Sequence, residues 1–337
     1  MKPAQAQRGF VLLLTLALVL LAGGLLSGLA LRSATAALDT ESAVERLQRR
    51  WAVTTCRATL LENSERLLDA AERGDEDRET GGDHADQTGA RGGKPVAEWR
   101  VACRLAGLDY ELVFTDEQAK LNVNALLQHE THESARRIIE RLSADAGAMA
   151  NEPVTVKLHV RRAEKGGESE GGGGSSEIGG YGQIFENVSA WQLIDDSDTG
   201  GAGVSGDGGA GLAGRLTCWG DGRLNWRRAS DEVLRRVCGE ALNRGQTDQL
   251  MGVRKDDPFA TTDELIGRLK GIGKKQADEL RNLLADASGC HGLWVIQRSG
   301  QRSWYTLAVG LGTVTERDPD TDAPGKLAVS RLYEFQW

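Results

Sequence analysis

The groupings of residues that could do chemistry are few, and each falls short of a reactive pattern. His129-Glu130-Thr131-His132 is one residue short of HExxH, so its imidazoles miss the i, i+4 placement that a helical zinc site needs. These read as exposed polar residues at a helix start. No GxSxG turn occurs, no cysteine has a histidine in a catalytic context, and no GxxxxGK[ST] phosphate loop is present. Neither an enzyme nor a cofactor is expected. Glu316, Asp318, Asp320 and Asp322 crowd one loop. Such carboxylates could hold Ca²⁺, but an EF-hand would need glycine at Ala323 and an acid at Val329. Asp318, Asp320 and Asp322 stay as weak calcium candidates on what reads as an acidic, solvated hairpin tip.

One motif is specific. Thr261-Thr262-Asp263-Glu264 forms a capping box, Gly271-Ile272-Gly273 breaks the helix it opens (Leu265 to Leu269), and a second helix runs from Lys274 to about Ala285. Ala277, Leu280, Leu283 and Leu284 point inward. The pattern over 261–286 is a helix-hairpin-helix: the glycines let the turn close, and Ala277 lets the helices approach. Its turn amides, with Lys270, Lys274 and Lys275, could hold a DNA backbone. The net charge of -8 argues against nucleic acid as a partner, because phosphate needs a basic surface. Packing or protein contact is the favoured use.

The elements that carry these groups follow from periodicity. Phe10 to Leu31 is apolar except for Thr15 and Ser27 and holds no charge. At about 1.5 Å per residue it spans roughly 33 Å, enough for a hydrocarbon core of about 30 Å. Lys2 and Arg8 precede it, which keeps the leader cytoplasmic. A secretory signal cut near Ala34-Thr35-Ala36, giving a soluble protein starting near Ala37, is an alternative; a core helix is disfavoured because no face is polar. The helical pattern continues without Gly or Pro to Arg73, with Leu47, Trp51, Thr54, Ala58, Leu61 and Leu68 expected to lay one stripe on a soluble domain.

Beyond the charged, Gly-rich 74–95, the period changes to two. Trp99, Val101, Cys103 and Leu105 share a face, Leu108 to Phe114 alternate, and Ala106-Gly107 suits a hairpin turn. Ser134 to Leu142 reads as helix and Val154 to Val160 as strand. Gly-rich loops follow at 165–182 and 198–214. Gly222-Arg223-Leu224-Asn225-Trp226 echoes Lys120-Leu121-Asn122-Val123-Asn124, a weak internal repeat, and Ser230 caps a helix. Strands return over Leu293 to Gln297, Trp304 to Val309 and Leu327 to Trp337. Cys56, Cys103, Cys218, Cys238 and Cys290 form no CxxC. An oxidising compartment would allow one or two disulfides among them, whose pairing is open.

Taken in order, these features resemble a known family. Gly9-Phe10 after a basic leader resembles the class III signal of type IV pilins and pseudopilins. With Asp116 to Leu127 (DEQAKLNVNALL), Gly222 to Leu234 (GRLNWRRASDEVL), Pro258-Phe259 and the C-terminal strands, the chain resembles the K-type minor pseudopilin of bacterial type II secretion systems. Trp226-Arg227-Arg228 departs from that family's Val-Asn-Thr, and the Gly-rich insertions are long. The resemblance implies cleavage by prepilin peptidase between Gly9 and Phe10, with N-methylation of Phe10. It implies assembly with I- and J-type pseudopilins at the tip of a pseudopilus that exports folded proteins. Most pseudopilins carry Glu at the fifth mature position to neutralise a neighbour's amine; here Leu14 stands there, as suits a tip subunit with no neighbour above it. A membrane-tethered helix-hairpin-helix protein for DNA uptake is the alternative.

The expected fold is α+β and pilin-like. A basic leader (1–9) precedes a transmembrane helix (10–31) and its continuation (32–73), then a flexible loop (74–95) and the first part of a small antiparallel sheet (96–117). A mainly helical insertion (118–290) follows, and the C-terminal part of the sheet (291–337) closes the chain. The protein is expected in the bacterial inner membrane, single-pass, with its N-terminus cytoplasmic and its body periplasmic.

Overall fold

The computed structural model describes residues 4–74, 95–150, 154–158, 177–194, 211–300, 302–314 and 327–337. The fold is α+β, with two units, Met1–Thr54 and Thr55–Trp337. Helix α1, Ala4–Leu60, fills the first unit. Among the described residues it begins the one helix long and apolar enough to cross a membrane. Its large apolar side chains from Leu12 to Leu31 are all at least 50% exposed.

The apolar stripe expected along this helix is not continuous. Leu61 and Leu68 are buried, whereas Leu47 and Trp51 are 56% and 64% exposed, and Thr54 and Ala58 are also exposed. Near the end of α1 the buried residue is Cys56, on a different helix face from the exposed Thr54 and Ala58. A 3-10 turn, Leu61–Asn63, then leads into helix α2, Ser64–Gly74. The helical run expected to Arg73 is present, with the 3-10 turn Leu61–Asn63 within it.

Five strands form the sheet: β1 (Glu98–Leu105), β2 (Leu108–Asp116), β3 (Cys290–Ser299), β4 (Arg302–Val314) and β5 (Leu327–Gln336). They lie in that order, every neighbour antiparallel. Ala106 and Gly107 both take positive φ, 50° and 84°, as a two-residue turn matched to strand twist requires. Leu112 to Asp116 are buried because β2 is covered on both faces. On one, Leu61 lies so close to Gly310 that a Cβ there would meet its Cδ2 at 3.1 Å. On the other, Val113, Trp294, Ile296, Leu307 and Val309 join the core of the insertion.

The insertion between β2 and β3 carries α3 (Val123–His129), α4 (His132–Ala150), α5 (Asp231–Cys238), α6 (Arg244–Asp256), α7 (Thr262–Arg268) and α8 (Lys274–Leu283). The strand expected at Val154 to Val160 is only Thr155–Val156 within the described 154–158. The two Leu-Asn echoes form matching structures: Leu121-Asn122 pairs in parallel with Leu216-Thr217, and Leu224-Asn225 with Leu284-Ala285. That second pairing ends α8 at Leu283, short of the expected Ala285. Trp219 fastens the insertion to β5, its ring 5.5 Å from Phe335 and 6.5 Å from Tyr333.

Candidate functional site

The densest polar centre is a buried ionic cage around Arg228. Helix α2 supplies Glu65, Asp69 and Glu72, spaced i, i+4, i+7 and so on one face. The guanidinium lies 2.7 Å from a carboxylate oxygen of each and 3.4 Å from Asp116 Oδ2, with its own side chain 1% exposed. Burial works against its charge, but Glu65, Glu72 and Asp116 outweigh that and hold its pKa well above the usual arginine range. Only a planar fork of donors can meet carboxylates on several sides at once.

Neighbours complete the cage. Asn225 Nδ2 donates to Asp116 Oδ2 at 2.7 Å, and Asp116 Oδ1 accepts from the amides of Gln118 and Ala119. Glu72 accepts from the amide of Val96 at 3.1 Å. Arg227 lies 3.7 Å from Glu72 and sits over the Phe259 ring, 4.8 Å from its centroid. His291 Nε2 is 3.2 Å from Glu65 Oε2 and 3.1 Å from the Ser288 carbonyl. The cage thus joins α2, the end of β2, the start of β3 and the insertion.

The Asp116 to Leu127 segment is a scaffold. Lys120 and Glu117 form a second buried pair at 2.5 Å, and Glu117 also accepts from the hydroxyls of Thr115 and Thr217. Asn122 caps α3 and donates to the Trp219 carbonyl, while Asn124 bridges Ile178 and Cys218. These side chains spend their polar atoms inside the protein.

The α7–turn–α8 pair is also held internally. The Thr261–Glu264 capping box forms, and Gly271 adopts φ +73°, where a side chain would strain. Ile272 and Ala277 are half-buried against the core, with Leu280 fully buried. Two turn amides are occupied: Lys270 N donates to Gln249 Oε1 at 2.9 Å, and Gly273 N to Gln276 Oε1 at 3.2 Å. Lys270, Lys274 and Lys275 are exposed.

Gly9 and Phe10 lie within α1. Leu14 is 50% exposed. Asp318, Asp320 and Asp322 fall outside the described residues, as do most of the Gly-rich stretches. His129 ends α3 and His132 starts α4, both exposed. Among the described residues no group of three or more His, Cys, Asp or Glu side chains could hold a metal ion. The five cysteines are free thiols, Cys103 half-buried and the others buried. Burial pushes Cys56 up to about 11, with Cys103 adding to the effect, and Cys238 up to about 12; Cys218 and Cys290 are raised further.

Sequence reasoning missed the cage. Its signals were present: three acids at i, i+4 and i+7 on one helix face, and an Arg-Arg pair after a tryptophan. Nothing local linked them, since Arg228 and Glu72 are 156 residues apart.

The fold and site define an α+β chain in which the short helix α2 and a helical insertion are clamped to one antiparallel sheet by buried charge. Among solved structures, one similar chain belongs to the GspK-GspI-GspJ complex from the enterotoxigenic Escherichia coli type 2 secretion system. The match covers 88% of this chain and 99% of that one at 13% identity, with a TM-score of 0.42; a likeness of that degree carries no functional inference. No family model and no curated protein matches.

Proposed function

We propose that this chain is a minor pseudopilin of the K type, starting and capping the pseudopilus tip of a type II protein secretion system. The observation that carries this reading is a single helix, apolar from Phe10 to Leu31, that leads through a tight turn onto an antiparallel sheet. The Gly9-Phe10 junction supports it as the substrate of prepilin peptidase, with Phe10 the mature, N-methylated residue. Leu14 supports the tip position, since a carboxylate there would cost several kcal/mol in lipid without a neighbour's amine. The partners are I- and J-type pseudopilins, and the body stands in the periplasm behind a single inner-membrane anchor. The chain works by assembly rather than catalysis.

Two measurements test it. Mass analysis of the mature protein should find Phe10 at the N-terminus with one added methyl group. A clean deletion should block secretion across the outer membrane while export across the inner membrane continues. Normal secretion in the deletion strain would overturn the reading.

A further inference from the structure

The first turns of α6 and α8 break a rule that their neighbours keep. Helices α5 and α7 open on Asp231-Glu232 and Asp263-Glu264, acids that suit the positive end of a helix dipole. Helices α6 and α8 have no acid in their first turns and open on Arg244 and on Lys274-Lys275, where a cation is disfavoured. The two starts meet: Gln246 Nε2 donates to the Gly271 carbonyl at 3.1 Å, and Gln276 Nε2 donates to the Ala241 carbonyl at 3.0 Å. Lys270 N donates to Gln249 Oε1 at 2.9 Å, which brings another cation to the same end of the insertion.

Arg244, Lys270, Lys274 and Lys275 are exposed, and among the described residues none of them makes an ion pair. By contrast Arg235, Arg236, Arg254, Arg268 and Arg281, on these same helices, each bond a carboxylate. Asp278 and Glu279 lie one turn past the two lysines of α8, but Asp278 is held by Arg281 at 2.9 Å. Packing does not call for the arrangement either. Gly273 takes φ -80°, a conformation open to any residue, and a Cβ there would meet nothing within 4 Å. The surface between Lys270 and Lys274 is left bare without a steric need. A departure from local preference with no gain in packing marks a site of contact.

We propose that this basic pole docks a carboxylate-rich segment of another protein. Charge complementarity selects the occupant. The cations stand together on a chain of net charge -8, so an anionic partner is attracted at the pole and repelled elsewhere. That favours a segment reaching the pole over a broad acidic face or a planar anionic lipid surface. Nucleic acid fits less well, because two turn amides that would hold phosphate are spent on Gln249 and Gln276 and a duplex needs a wider basic surface. A carboxylate needs only the ammonium and guanidinium groups themselves. The surface belongs to the insertion, and its use does not depend on the secretion role proposed above.

The test titrates the full chain, held in phosphatidylcholine nanodiscs, with a fluorescent octaglutamate peptide. Duplex DNA and phosphatidylglycerol vesicles serve as rival probes. The peptide should bind at low salt and weaken as salt rises. Lys274→Glu combined with Lys275→Glu should weaken it by more than about tenfold. The melting temperature should hold or rise, since acids then occupy the first turn of α8. Arg136→Glu combined with Arg137→Glu makes the same change of charge on α4, at exposed arginines already paired with Glu140 and Glu133, and should leave the peptide bound. Equal loss in both double variants, a lowered melting temperature in the lysine variant, no peptide binding at low salt, or capture of the duplex or the vesicles in preference to the peptide would each overturn the proposal.

Discussion

Arg228 bonds Glu72 at 2.7 Å across 156 residues of sequence, so the insertion grips the helix that follows the anchor through a fully buried ion pair. Removing one partner of such a pair strands the others. Arg228→Ala should destabilise the body by about 3–5 kcal/mol, read as a shift of the urea midpoint. Arg228→Lys should recover little, because one ammonium cannot reach Glu65, Asp69 and Glu72 together. A loss near zero would mean that the cage is solvated.

Leu47 and Leu68 share one apolar pattern in sequence but not one environment. Leu68 is 0% exposed and Leu47 is 56% exposed. Leu68→Ala should cost about 2–5 kcal/mol, and Leu47→Ala should stay within about 0.5 kcal/mol of the parent. Equal losses in the same denaturation series would put the stripe back against the body.

Burial of the thiols couples stability to alkaline pH. An unfolded cysteine ionises near pH 8.5, whereas Cys56 and Cys238 are raised to about 11 and about 12 in the fold. Because the folded state holds its protons longer, these groups stabilise fully below about pH 8.5 and progressively less as pH rises toward 11. The urea midpoint of the reduced protein should therefore fall between pH 7.5 and 10. Under native conditions iodoacetamide should reach Cys103 first. A flat midpoint across that range would contradict the buried placement.

Gly271 holds φ +73° with open space around its Cα, so the cost of a side chain there is conformational. Gly271→Ala should lose about 1–2 kcal/mol, while Lys274→Ala should be neutral. Neither should alter binding to duplex DNA at low salt, since the isolated body should show none. Salt-sensitive binding abolished by both variants would instead favour a DNA-binding role for the turn.

Much of this was legible from local rules. The Ala106-Gly107 turn, the Ser230 cap and the Thr261 capping box form as their residues require, because each closes on neighbours within three or four positions. The helices α7 and α8 were readable for the same reason; the positive φ of Gly271 was not. Of the strand expected over Val154 to Val160, the described 154–158 hold Thr155–Val156, which pairs among the described residues with Phe185-Glu186; alternation marks a face but does not say which neighbour it pairs with.

What the sequence alone determined was therefore the set of elements: an apolar run too long and too uniform for a core, alternating strands, and helices with their caps. Tertiary structure decided which face of each element met another. It placed β3 beside β2 across the whole insertion, turned Leu47 and Trp51 outward while Leu61 and Leu68 went in, and brought Arg228 to Glu65, Asp69 and Glu72. Periodicity reports that a face exists, but partnership depends on distances between segments far apart in the chain, and only the packed structure sets those.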